Sequence, residues 1–451
     1  MANGFTAACF STMGLVRLLG TTLPELTSEV ATGIMVIKDL DEWVNRTKAK
    51  FPGGPRTFPL RQRTNIGSES ERVMHPLDAE WWHIWNYLSY GAGAVVIGGT
   101  GSVWGLTMDQ VLDNPLDSYT EPFDVIFSTG YDFDAFQTAG MNSSQTGGDA
   151  NILVCKTALK RDNVFGIVGM SLRGNPQYQY KTGDTAGWDT APGNFNTSTG
   201  AFGSWINGFT YTHMQGFGLF ADAARGTYTN KKGITQSNII AVANRKFFIK
   251  NWVNPGFDYS EIDQMHLASD YAGALGRAVR DNYPWSTPAG FNRGRILNII
   301  KTAIALTPDQ ELNMEKEGLQ VVPKNVPGKG FYFLSNVTQG APTSALNKAD
   351  LKSVINYVKK TIKDASLNYL FEVNNPTTRL SFTNYATNIL NGIKDSGAIG
   401  GFTVQCDAIN NTDPTKLVAR IIIQTVDTIK TIDLQVSISP DGAQIIESFT
   451  I

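Results

Sequence analysis

The chain has 451 residues, of which 42% are hydrophobic and 17% charged, with a formal net charge of −2. That length accommodates two or three domains with substantial cores, and the near-neutral balance gives no electrostatic reason to expect nucleic acid or an anionic membrane as a partner. The charged fraction lies below the usual quarter, which fits either a large buried core or apolar surface that partners cover.

Residues 32–38 predict a strand. Residues 39–51 follow as a helix with Leu40, Trp43, Val44 and Phe51 on one face, ended by Pro52-Gly53-Gly54. A second helix is expected over 78–90, with Trp81, Ile84, Trp85 and Leu88 inward and Gly91 as its C-cap. Residues 94–97 then read as a buried strand and 98–121 as a loop-rich stretch too short for a domain. Strands at 125–127 and 164–168 flank a helix at 149–161, an alternation that argues for a parallel sheet flanked by helices. Residues 175–212, rich in Gly, Asn, Thr and aromatics, are too long for an ordinary connection and read as a surface excursion. Strands are expected at 238–242 and 246–252, and a helix at 269–282. Thr307-Pro308-Asp309-Gln310 is a helix start, followed by strands at 319–322 and 331–334.

From Asn347 onward the pattern changes. A helix carries Leu351, Val354, Ile355, Val358 and Ile362 as one stripe, with Lys348, Lys352, Lys359, Lys360 and Lys363 on its other faces. A second helix, 378–396, presents Phe382, Tyr385, Ile389, Leu390 and Ile393. Three strands follow at 402–406, 417–425 and 428–438, the last with one apolar face. After Pro440-Asp441-Gly442, residues Ile445, Phe449 and Ile451 recur at period two, so 443–451 reads as a strand that either folds back or pairs with another chain.

Two segments carry a family likeness. One is Phe371-Glu372-Val373-Asn374, a long helix, Gly397-Ala398-Ile399-Gly400-Gly401, and a strand ending at Cys406-Asp407. The other is Ala272-Gly273-Ala274-Leu275-Gly276-Arg277 leading to Pro284-Trp285-Ser286-Thr287-Pro288-Ala289-Gly290. Together they resemble the contractile tail sheath proteins of phages and related injection machines. Val373 stands where that family has Pro, and its Pro-Gly-Val-Tyr opening is missing from residues 1–19.

The resemblance implies an α/β fold: a subtilisin-like sheath core with a mixed sheet flanked by helices, plus a C-terminal α+β domain with terminal arms. The implied organisation is an N-terminal arm region (1–31), the core (32–340), a C-terminal sheath domain (341–442) and a C-terminal arm (443–451). The implied function is a virion tail subunit that polymerises around a tail tube and contracts. It would assemble in the bacterial cytoplasm and meet baseplate and tail terminator proteins. The resemblance favours an arm in which Ile445, Ile446, Phe449 and Ile451 cross to a neighbouring subunit, with Phe5 at the N-terminal counterpart. The lysine helix reads as a solvated face or, by the resemblance, as a tube-facing surface with Lys352, Lys359, Lys360 and Lys363 in contact.

No cofactor, metal or catalytic group is expected. Gly99-Thr100-Gly101 is followed by Trp104, where a dinucleotide fingerprint needs Gly. Residues Gly169 to Gly174 miss the nucleophile-elbow spacing by one, and Gly328-Lys329 lacks the Ser or Thr of a phosphate loop. Asp132 and Asp134 lack further carboxylates at calcium-loop spacing. His83, His213 and His266 have no ligand partners nearby in sequence, and Cys9, Cys155 and Cys406 are spaced as buried reduced thiols. The start of the chain lacks the basic segment of a signal peptide, and no apolar run reaches the roughly 18 residues of a membrane span. The alternative is a cytoplasmic α/β hydrolase-like enzyme built on the Gly-rich regions.

Overall fold

The computed structural model describes residues 4–11, 33–47, 76–99, 116, 119–129, 154, 157–158, 161, 163–170, 237–249, 262–302, 311, 315, 318–320, 324–340, 345–409, 411, 413, 416–426, 433–438 and 445–450. The excursion at 175–212, Cys155, His213, Asp132, Asp134 and Ile451 lie outside the described residues. The chain divides into two units, Met1–Tyr357 and Val358–Ile451.

The first unit is built on β1 (Thr6–Ser11), β2 (Ile34–Ile37), α1 (Leu40–Thr47), α2 (Pro76–Ser89), β3 (Ala94–Gly99), β4 (Val125–Phe127), β5 (Phe165–Met170), β6 (Ile239–Ala243), β7 (Arg245–Ile249), β8 (Ile262–His266), α3 (Ala268–Asp281), β9 (Lys301–Thr302), β10 (Leu319–Gln320), β11 (Lys324–Val326) and β12 (Gly330–Tyr332). Seven strands form one sheet in the order β10-β6-β5-β4-β1-β3-β2. Every pairing in it is parallel except β2 with β3. Central parallel strands are covered on both faces and so read as unbroken apolar runs. Val95, Val96 and Ile97 of β3, like Val125, Ile126 and Phe127 of β4, are all buried.

The start of the chain departs from the sequence expectation. Residues 1–31 were expected as an N-terminal arm with Phe5 reaching a neighbour. Instead β1 lies between β3 and β4, with Thr6 opposite Ala94 and Ala7 opposite Val125. Phe5, Ala7, Ala8, Cys9 and Phe10 are buried in the chain's own core. The physical reason is the run Ala7-Ala8-Cys9-Phe10, which has no polar face to offer solvent.

Glycines on α3 explain part of the second family-like segment. A Cβ on Gly273 would stand 2.6 Å from the Tyr90 ring, and one on Gly276 would stand 2.5 Å from Ala92 and 2.6 Å from Phe5. Their absence lets α3 lie against the end of α2 and the start of β1. Arg277, from the same segment, sits 5.1 Å from the Tyr90 ring centre and donates to the carbonyl of Arg295 at 2.6 Å. These residues serve packing.

α4 (Ala349–Ser366) spans the division between the units, and the second unit continues with α5 (Pro376–Asp395), β13 (Ile399–Gln405), β14 (Arg420–Thr425), β15 (Asp433–Ile438) and β16 (Ile445–Thr450). α5 starts two residues before the expected Thr378. Asn375 is its N-cap, accepting from the Thr378 amide at 2.8 Å, and Pro376 opens the first turn. This is the cap chemistry that Asn followed by Pro favours. Phe382, Ala386, Leu390 and Ile393 form its buried stripe, whereas Tyr385, expected inward, is 44% exposed. The three late strands do not make one sheet. β13 pairs antiparallel with β14, and β15 pairs antiparallel with β16.

Candidate assembly surfaces

The terminal segment is a strand as expected. Ile445 stands opposite Ile438, Ile446 opposite Ser437 and Phe449 opposite Leu434 in the β15–β16 ladder. In the single chain, then, β16 folds back, and the ladder contains these two strands alone among the described residues. A two-stranded ladder leaves one edge of each strand with its backbone donors and acceptors open to a further strand.

The lysine candidates separate. Lys352 is 1% exposed, and its burial removes it as a tube-facing group. Lys359 and Lys360 are half-buried and Lys363 is exposed. Of the four, Lys363 is the exposed one.

Large exposed apolar side chains concentrate in the second unit. Leu367, Leu370, Phe371 and Val373 lie between α4 and α5, with Phe371 fully exposed at 105%. Phe371 also holds φ +68, a left-handed conformation that a bulky side chain rarely adopts. The loop is fastened from below. Asn374 donates to the carbonyl of Lys416 at 2.8 Å and accepts from Arg379 at 2.8 Å. Asn411 holds the neighbouring loop by donating to the Val418 carbonyl at 2.9 Å and accepting from the Val418 amide at 2.6 Å.

The first unit contains a constellation that no sequence spacing announced. Lys246 on β7 donates to Asp270 at 2.7 Å, to Asn86 at 2.9 Å and to the Leu297 carbonyl at 3.1 Å. Tyr90 donates to the same Asp270 oxygen at 2.8 Å and accepts from the Leu297 amide at 2.9 Å. His83 lies 2.8 Å from Ser269, which also accepts from Asn86 at 3.1 Å, and the His83 and His266 rings stack at 4.0 Å. Burial, then His266 and then Lys246 hold the His83 pKa well below its ordinary value. Burial lowers that of Lys246, against the opposing pull of Asp270. Burial pushes the Tyr90 hydroxyl up, as it does the Cys9 thiol.

A serine beside a histidine invites comparison with hydrolases. Here, however, Ser269, Asp270 and Lys246 are 0% exposed and His83 is 1% exposed. Asp270 is bound to Lys246 and Tyr90, so it does not orient the histidine. The cluster ties β7, α2 and α3 together. Two of the glycines in the Gly-rich stretches are likewise engaged in packing and turn geometry. Gly169 of β5 is pressed against His266. Gly328 takes φ +75 in the turn between β11 and β12.

Residues 342–439 match the family model of the phage tail sheath C-terminal domain. The chain is 31% identical over 226 residues to the tail sheath protein of Enterobacteria phage T4, an alignment that takes in 49% of this chain and 33% of the relative. It is 33% identical over 187 residues to that of Vibrio phage KVP40, covering 40% of this chain and 28% of the relative. The chain thus spans about a third of the length of these sheath relatives. Its fold is similar to the helical sheath of the anti-feeding prophage in its contracted state, with a TM-score of 0.57, 12% identity and coverage of 96% of this chain and 93% of that one.

Proposed function

We propose that this chain is the sheath subunit of a contractile tail. Copies polymerise around an inner tube and, once triggered, rearrange to a shorter state that drives the tube through a host envelope. The observation that carries this reading is that the sheath likeness reaches both units. Residues 342–439 carry it in sequence, and 96% of the chain carries it in fold. The seven-stranded, mostly parallel sheet with flanking helices supports the finer description of a subtilisin-like core. The role is structural, with the work stored in contacts between copies and released by a change of packing. The hydrolase alternative finds no support in a Ser–His pair closed to solvent.

The same reading places the subunit in a virion tail or a related injection machine, assembled in the bacterial cytoplasm. Its partners are further copies of itself, a tail tube protein, and baseplate and terminator proteins, without nucleic acid or membrane. Lys363, with Lys359 and Lys360, is the candidate tube-facing group. The 443–451 segment is the candidate arm. Its backbone, released from β15 or extended along the open ladder edge, supplies about four to five hydrogen bonds to a neighbour, each contributing roughly 1 kcal/mol net.

The test is electron microscopy of the purified full chain beside a truncation ending at Gly442. The full chain is expected to form hollow cylinders and the truncation to remain folded without long tubes. A full chain that stays solitary at high concentration sinks the sheath reading. Long tubes from the truncation sink the arm alone.

A further inference from the structure

The loop between α4 and α5 places apolar side chains where a solitary molecule gains nothing from them. Leu367, Leu370, Phe371 and Val373 are 59%, 60%, 105% and 71% exposed. Asn374 binds this loop to the carbonyls of Asp413 and Lys416, and Asn411 binds Asp407 to Val418. Ile409, 85% exposed, and Val418 belong to that second loop. Each of these two hydrogen-bonded loops therefore presents an apolar rim.

Three observations bear on what covers it. The first is area. The four side chains of the α4–α5 loop together expose on the order of 500 Å², a large part of the roughly 800 Å² that each partner buries in a stable protein interface. The second is conformation. Phe371 keeps a left-handed backbone that lifts its ring clear of the unit, and Asn374, Arg379 and the Asn375 cap brace the loop on its C-terminal side. Strain retained at an exposed bulky residue is a mark of a functional contact, and a braced loop has less freedom to lose on docking. The third is charge. Lys416 pairs with Asp413 at 3.2 Å, and Arg379 and the exposed Glu372 add one charge of each sign. The rim carries balanced charge, which suits a neutral protein surface better than a polyanion or a lipid headgroup layer.

We propose that the Leu367–Val373 ridge, with Phe371 as its anchor, docks on a second copy of this chain. The proposal rests on the sheath reading, which requires each copy to meet identical neighbours, and it names a contact separate from the terminal arm. A ridge on one copy received by a different surface of the next is a heterologous contact. Repeated, it propagates into an open helical array.

The experiment uses the purified full chain, its Phe371→Asp and Phe371→Gly variants, and a Phe371→p-benzoylphenylalanine form for photocrosslinking. The wild type is expected to polymerise. Both variants should raise the concentration at which half the chain is polymeric by roughly 30- to 100-fold, while their circular dichroism and unfolding midpoints stay close to the wild type. Glycine also removes the backbone strain, so a polymerisation loss without a stability loss separates docking from folding. Irradiation of the polymer should yield a covalent dimer whose crosslinked peptide comes from a second copy. Wild-type polymer with undiminished assembly of both variants and no covalent dimer overturns the contact and assigns the ridge elsewhere. A wild type that never polymerises overturns the sheath reading, and the contact with it.

Discussion

Replacing Lys246 tests the buried network at its charged centre. The ammonium is 0% exposed and satisfied by Asp270, Asn86 and the Leu297 carbonyl. Lys246→Met removes all three bonds and leaves the Asp270 carboxylate in a dry interior. One of its oxygens then keeps only the Tyr90 hydroxyl, and the other has no partner even in the native protein among the described residues. Stranding one member of a buried ion pair costs about 3–5 kcal/mol, a large share of the 5–15 kcal/mol that typically holds a domain together. Removing both charges, in Lys246→Met with Asp270→Leu, deletes the unpaired carboxylate. The double variant should therefore lose less than the two single losses added, with a coupling of about 2 kcal/mol or more. The assay is urea unfolding followed by tryptophan fluorescence. Trp43, Trp81 and Trp82 are buried in the first unit, and Trp82 lies 5.5 Å from Phe248 on the same strand as Lys246. A loss below about 1 kcal/mol for Lys246→Met, or strictly additive single losses, would show that these charges do not depend on each other.

Acid should weaken the same region. His83 is held neutral by burial, by His266 stacked on it and by Lys246, so its folded pKa lies below the unfolded value of about 6.5. The unfolded chain then binds the proton more readily. Stability is complete above about pH 6.5 and falls as pH drops through the window below it, with a slope of up to about 1.4 kcal/mol per pH unit for one proton. Unfolding midpoints measured from pH 8 to pH 5 should show that decline, and His83→Gln should reduce it; equal slopes in the two proteins would remove His83 as its source. In the second unit, Asn375→Ala should cost about 1 kcal/mol through loss of the α5 cap, while Asn375→Asp retains most of it. Calorimetry decides this one, and no difference between the two variants would mean that the side chain does not cap the helix.

Much of the architecture was legible in the sequence because its signals are local. Trp81, Ile84 and Leu88 recur at helical spacing and are buried. Gly91 closes their helix with φ +59. The apolar runs at 94–97, 125–127 and 164–168 became neighbouring or near-neighbouring parallel strands. The misread places are those where a local pattern fits two destinations. A short apolar run near a terminus suits a free arm as well as a central strand, and only the slot between β3 and β4 decided for β1. The strand at 433–438 had a suitable partner before it in sequence and another after it, and it paired with the later one. The lysine run likewise said nothing of which member would be buried, and Lys352 was.

Periodicity, capping residues and the order of two glycine-bearing segments were enough to read from the chain alone an α/β core, an α+β C-terminal region and a likeness to the sheath family. These depend on residues a few positions apart, where the polymer's own geometry sets the spacing. Residues 160 to 186 positions apart in the Lys246–Asn86 and His83–Ser269 contacts met only on folding, because their proximity follows from how helices cross a sheet. The exposure of Phe371 belongs to the same class. Its sequence neighbours are apolar, and only the packed structure shows which of them found a core and which were left facing outward.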